Sequence, residues 1–200
     1  MAHESDSELM VRFQDGNIHA FELLFERYRN PVFSFLFRML NRRQQESEDL
    51  LQEVFLKLLK AKDFYEPREA FSTWLFTIAR NHCLNYIKSR QFAQASRSVP
   101  LEAAPAACEA PVDPSTGSLP SVAREVEDRE FQECLEQAVA CLTPEYREVF
   151  LLHAVQGHSH EEIARMLRMN PATVRTHYHR ARLMLRSKIA APLAGKERKP

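Results

Sequence analysis

From Ser5 to about Phe92 the apolar positions recur three and four residues apart, and no stretch shows the two-residue alternation of a half-buried strand. That spacing predicts helices. Breaks fall at Gly16-Asn17, where Asn17 can cap the helix that follows, between Asn41 and Ser47, and at "EPREA" around Pro67. About four helices result, with Pro31 either a kink or a first-turn residue. Residues 93 to 125 then break the pattern: they hold five prolines, many alanines and serines, and hardly a large apolar side chain. Such a segment predicts a flexible linker.

The helical period returns after it. Phe131, Cys134, Leu135, Ala138 and Leu142 fall on one face, Thr143-Pro144 marks a helix start, and Gly157 closes the helix "PEYREVFLLHAVQ". Ser159 with Glu162 three residues on forms a capping box, and Asn170-Pro171 opens the last helix. The second half therefore reads as four short helices. Its final two are joined by a tight turn at Arg168 to Asn170, which is helix-turn-helix spacing. The predicted fold class is all-α: two small helical domains joined by a flexible linker.

Charge changes the picture by its distribution. Lysine plus arginine number 27 and aspartate plus glutamate 27, so the formal net charge is zero. Yet Arg80, Lys88, Arg90 and Arg97 follow one another without an intervening acid. Between Ile163 and Ala190 there are seven cations and no acid (Arg165, Arg168, Arg175, Arg180, Arg182, Arg186 and Lys188). Acidic residues gather instead between Glu46 and Glu53 and between Glu125 and Glu136. Patches of this kind, and not the total, select partners.

Stepping about 100° per residue along the last helix puts Val174, Tyr178, Ala181 and Leu185 on one stripe. Thr176, His179, Arg180 and Leu183 lie opposite, with Arg175 on the flank. A merely solvated helix also shows a cationic face. The capped helix and tight turn before this one favour DNA, because they present it as a rigid unit for a major groove. In "FSTWLFTIARNHCLNYIKSRQF", Trp74, Leu75 and Ile78 read as core, whereas Asn81, Asn85 and Lys88 share the other face. Amides and cations beside aromatics suit unstacked bases. The helix "SEDLLQEVFLKLLK" is acidic at its start, which suits its dipole, and apolar at Leu51, Val54, Phe55 and Leu58. Its face with Asp49, Gln52 and Glu53 serves either solubility or docking of a basic partner helix.

The four cysteines (Cys83, Cys108, Cys134 and Cys141) show no CxxC pair and no zinc spacing with histidine, so they read as reduced thiols with no metal. No apolar run spans a bilayer and the first residues lack a secretory pattern, which predicts a cytoplasmic protein with no membrane insertion of its own. No nucleophile and base constellation and no phosphate loop appears among only four glycines, so no enzyme and no cofactor is expected.

Three stretches carry a resemblance. "EDLLQEVFLKL", "FSTWLFTIARNHCLNYIKSR" and "LTPEYREVFLLHAVQGHSHEEIARML", the last followed by "TVRTHYHRAR", resemble, in that order, the core-polymerase-binding, minus-10-reading and minus-35-reading segments of bacterial RNA polymerase sigma factors. The family is sigma-70, extracytoplasmic-function (ECF) group, and the similarity covers about residues 5 to 95 and 125 to 190. It implies a region 2-like bundle over 5–95, a linker over 96–125 and a region 4-like helix-turn-helix over 126–190.

Asp49, Leu50, Gln52, Glu53 and Phe55 then fall to docking on the coiled coil of the largest polymerase subunit. Asn81, Asn85 and Lys88, with the loop from Lys62 to Ala70, fall to the melted minus-10 strand. Arg175, Thr176, His179 and Arg180 fall to the minus-35 duplex, and an anti-sigma factor is the implied regulator. The sequence departs from the common pattern at Asn85, where many members have aspartate, and at Arg168, where many have glycine or a small residue. His158 and His160 replace commoner neighbours of the capping serine. The expected function is to direct core polymerase to promoters and to begin transcription by capturing the minus-10 strand. The competing expectation is a helix-turn-helix regulator that binds DNA without polymerase.

Overall fold

A computed structural model describes residues 4–95 and 132–196, with side chains described over 4–92 and 132–189. The predicted linker over 96–125, Phe131 and Cys108 lie outside the described residues, all of whose regular structure is helical. The front half contains α1 (Asp6–Gln14), α2 (Ile18–Met39), α3 (Gln44–Ala61), a short 3-10 turn (Lys62–Phe64) and α4 (Phe71–Ala95). The rear half contains α5 (132–140), α6 (Pro144–Phe150) running on into a π turn (Leu151–Val155), α7 (His160–Leu167) and α8 (Pro171–Lys196). Residues 93–95, linker-like in composition, continue α4.

The boundaries follow local chemistry. Ser5 and Glu8 close a reciprocal capping box on α1, a start signal that the apolar pattern alone did not show. Asn17 accepts a hydrogen bond from the Ala20 amide at 3.1 Å and so starts α2. Pro31 lies inside α2, where it forfeits one intrahelical hydrogen bond. Between α2 and α3 the chain reverses through Asn41 and Arg42, both at positive φ. At the rear, Gly157 takes φ +78° after the π turn, and Ser159 and Glu162 form the expected capping box on α7. Arg168 closes α7 in the left-handed region at φ 52° and ψ 44°, a conformation that costs a residue with a Cβ about 1 kcal/mol relative to glycine.

Each half buries its own apolar stripe. In the front half an aromatic ladder runs through the bundle: Phe13 lies 5.1 Å from Phe21, Phe25 4.7 Å from Phe55, and Tyr28 5.2 Å from Phe71. Offset and edge-to-face contacts of this kind add about 0.5–1.5 kcal/mol each beyond simple area burial. In the rear half Leu142, Val149, Leu152, Ile163, Val174 and Ala181 are buried together.

The halves also touch. Arg147, only 6 % exposed, donates from its guanidinium to the carbonyls of Val139, Ala140 and Leu142 in its own half. It reaches across to the Met39 carbonyl at 3.2 Å and to Asn41 Oδ1 at 2.5 Å. Gln156 donates to the Pro31 carbonyl at 3.2 Å, and Phe76 of α4 meets the His158 ring at 5.2 Å.

Candidate nucleic-acid and polymerase interfaces

α8 is seated by one face and open on the other. Val174 and Ala181 are fully buried and Leu185 nearly so, while Tyr178 is half-buried, its ring 4.5 Å from His153 and 6.3 Å from Phe150. Arg175, Thr176, His179 and Arg180 are all exposed, as the helical count requires. Their settings differ. Arg175 pairs with Glu161 at 2.8 Å, and Arg180 donates to the Tyr146 hydroxyl at 3.2 Å, so both guanidinium groups are held near the helix before a ligand arrives. Asn170 Oδ1 accepts from the Ala172 amide at 2.8 Å, which fixes the helix start. The Glu161 carboxyl is held below its ordinary range by its own backbone amide first and by Arg175 second.

α4 offers a groove instead of a ridge. Lys57, Lys60, Phe64, Ile78, Asn81, His82 and Asn85 line a depression of about 360 Å³ between α3, the 3-10 turn and α4. Phe64 projects with 80 % of its surface exposed. A bare ring beside two lysines and two amides gives a base a stacking face, edge partners and phosphate neutralisation together. Lys57 donates to His82 Nδ1 at 2.7 Å, and the other ring nitrogen of His82 meets the Glu53 carboxylate. Because the ammonium is donor-only, this fixes the imidazole as the Nε2–H tautomer. Lys88 is exposed further along α4, outside the groove.

The count of cations along α4 overstates its free charge. Arg80 pairs with Glu148, a carboxylate only 5 % exposed, and also bonds Asn81 Oδ1 at 3.0 Å. Burial pushes the Glu148 carboxyl up, against the pull of Arg80. Arg90 pairs with Glu46. Partial burial raises the Glu46 carboxyl, but the hydrogen bond from Arg90 and the charge of Arg43 outweigh it and leave the group below its ordinary range.

On α3, Asp49, Gln52 and Glu53 are exposed. Leu50 and Phe55 are not: they are 2 % and 4 % exposed, and Phe55 lies edge-on to Phe25 and Phe21. These two residues anchor α3 in the bundle and do not present a surface; the apolar side chain beside the acidic face is Leu56, 54 % exposed. Helical periodicity could have separated the two sets, because Leu50, Val54 and Leu58 share one stripe. Phe64 lies in the loop from Lys62 to Ala70 that the resemblance joins to Asn81 and Asn85, whereas nothing in the sequence singles out Lys57 and Lys60, since only tertiary packing brings α3 against α4. Cys83 is buried, which pushes its thiol up to about 12 and leaves it unreactive.

The fold defines an all-helical chain that ends in a helix-turn-helix of the kind DNA-binding transcription factors use. Residues 24–93 match the family model for sigma-70 region 2 and residues 132–185 that for sigma-70 region 4. The RNA polymerase sigma factor CarQ of Myxococcus xanthus is 37 % identical over 177 residues, spanning 88 % of this chain and 93 % of that protein. The ECF RNA polymerase sigma-E factor of Escherichia coli is 31 % identical over 188 residues, spanning 92 % and 94 %. Among solved structures, the sigma factor RpoE of Bartonella quintana in complex with the anti-sigma factor NepR shares the fold, with a TM-score of 0.65 at 23 % identity over 85 % of this chain and 96 % of that one. CnrH in complex with the cytosolic domain of CnrY gives 0.65 at 23 % identity over 94 % and 99 %.

The chain belongs to the sigma-70 family of RNA polymerase sigma factors, in its ECF group. It directs RNA polymerase to promoters and initiates transcription with it, its region 2 and region 4 binding core enzyme and promoter DNA. The reading as a regulator independent of polymerase falls away. Sigma factors are not enzymes in the catalytic sense, and they act on polymerase in the cell interior. No helix among the described residues is long and apolar enough to cross a membrane.

Proposed function

We propose how the residues divide this work. Residues 5–95 dock on core polymerase and take the minus-10 strand, 96–125 serve as the linker, and 126–190 read the minus-35 duplex. Asp49, Gln52 and Glu53 form the polymerase contact, supported from behind by Leu50 and Phe55. Asn81 and Asn85, with Phe64 and Lys60 beside them, hold unstacked bases, and Lys88 takes a phosphate. Arg175, Thr176, His179 and Arg180 enter the major groove. The chain is no enzyme itself, works in the cytoplasm, and is restrained by an anti-sigma factor, as the sigma factor RpoE is seen in complex with the anti-sigma factor NepR.

The observation that carries this reading is the groove of Asn81 and Asn85 under the exposed Phe64 ring, a surface of no use to a pure duplex reader. Strand capture there offsets the few kcal/mol that unstacking a base costs. Asp49→Lys tests the docking face. It reverses an exposed charge outside the core and away from the His82 contact, so helicity should be unchanged while co-elution with purified core polymerase is lost. Undiminished co-elution and transcription would remove Asp49 from the contact.

A further inference from the structure

A second cleft, of about 460 Å³, lies where the halves meet, between α4 and the turn that ends α7. Its size falls within the range of small-molecule sites, roughly 300–1,000 Å³. Three guanidinium-bearing residues from both halves line it: Arg80 from α4, and Arg165 and Arg168 from the rear. Arg80 is already engaged by Glu148. Arg165 and Arg168 are exposed, and neither side chain has a hydrogen bond or ion pair among the described residues. Arg168 moreover holds the left-handed conformation that a glycine would adopt freely. The left-handed turn that ends α7 needs that backbone conformation but not an arginine side chain, and Arg168 with Arg165 leaves two unpartnered guanidinium groups lining the cleft.

The remaining lining narrows the chemistry. Trp74 offers a half-buried indole, Asn81 an amide, and Glu69 the one carboxylate. The set is rich in donors for phosphoryl oxygens, holds one acceptor suited to sugar hydroxyls, and includes an aromatic wall for a base. A duplex, whose major groove alone is about 12 Å wide, does not fit such a cleft.

We propose that this cleft between the halves binds a free nucleoside polyphosphate, its phosphates on Arg165 and Arg168 and its base toward Trp74. A ligand that touches both halves stabilises the state in which they are in contact, by a free energy that grows as the logarithm of one plus its concentration over its dissociation constant. Asn81 lines this cleft and the strand groove alike, so the nucleotide also opposes strand capture. That second consequence rests on the strand role proposed for Asn81; the binding itself does not.

The test is thermal unfolding of the full chain with ADP or GDP, with orthophosphate and with a short single-stranded oligonucleotide, all at one ionic strength. Expected is a rise of a few degrees with millimolar ADP or GDP that grows with the logarithm of nucleotide concentration, and little with orthophosphate. The rise should vanish in Arg165→Gln and in Arg168→Gly, the latter being at least as stable as the parent because its strain is gone. No rise, or an equal rise in Arg168→Gly, overturns the proposal. A variant-sensitive rise with the oligonucleotide alone also overturns it and assigns the cleft to the strand. Displacement of a labelled minus-10 oligonucleotide by ADP tests the shared Asn81 separately: retention of the oligonucleotide despite bound ADP would count against Asn81 as a strand contact and leave the cleft standing.

Discussion

The exposed face of α8 and the groove on α4, to which different forms of DNA are assigned above as a proposal, are built on different scales. α8 carries its contacts on one helix, so that Arg175, Thr176, His179 and Arg180 are arranged by the 3.6-residue period alone once Val174, Ala181 and Leu185 are buried. The α4 groove needs three elements. Its lysines come from α3 and its exposed ring from the 3-10 turn, while α4 supplies the amides. A duplex presents a regular surface that one rigid helix can match. An unstacked base needs enclosure on more than one side, which one helix cannot give.

Arg147 braces backbone in both halves, so its removal is expected to have the largest effect. Its guanidinium ties the turn between α5 and α6 to the end of α2 through several carbonyls and Asn41. Arg147→Met keeps the volume and leaves those acceptors unpaired, a loss on the order of 3 kcal/mol or more. Urea unfolding should show it, with both DNA activities falling together. Loss of only one activity at unchanged stability would mean that the two surfaces do not share this support.

The comparison is sharpened by a crossed pair of substitutions. Phe64→Ala should weaken binding of a single-stranded minus-10 oligonucleotide by about 1–3 kcal/mol, the usual worth of one stacked base, and leave a minus-35 duplex unaffected. Arg180→Ala should do the reverse, costing about 1–3 kcal/mol at one base pair. Equal loss on every duplex sequence would make Arg180 a phosphate contact, and equal loss on both probes by either variant would erase the division between the surfaces.

Much of this was legible in the chain because the deciding interactions are local. Asn17, the capping box of Ser159 and Glu162, Gly157 and the Arg168 turn all act within a few residues, and the buried stripe of α8 is a matter of periodicity. What stayed hidden was long-range. Leu50 and Phe55 fall within the polymerase-docking motif, yet the aromatic ladder against Phe21 and Phe25 claims Phe55 for the core. The four cations from Arg80 to Arg97 read as free charge, but Glu148 and Glu46, distant in sequence, pair with Arg80 and Arg90. The pairing of Arg80 with Glu148 belongs to the contact between the halves, which no periodicity announces.

That contact is where the smallest predicted effect resides. Minus-10 and minus-35 elements are, by their positions, about 25 base pairs apart, on the order of 80 Å of B-form DNA. On the division of labour proposed above, two halves joined through Arg147, Glu148 and His158 are expected to separate when both elements are read at once. His158, 4 % exposed against Phe76, is neutral there: burial lowers its pKa, and the nearby Glu162 only partly restores it. The native contact thus binds fewer protons than the opened or unfolded chain. Its stabilisation is complete above the ordinary histidine value of 6.5 and is lost as pH falls below it. Between pH 7 and 6 the loss should stay under about 1 kcal/mol. Glu148, raised by burial, works in the opposite sense, losing stability as pH rises through its elevated value, and His160, lowered by burial and by His153, adds to the His158 trend. The readout is therefore the difference between the parent and His158→Leu, which fills the same apolar site without a titrating ring. Thermal unfolding from pH 7.5 to 5.5 should fall less steeply in the variant; parallel curves would mean that His158 is as readily protonated in the native contact as in the open chain.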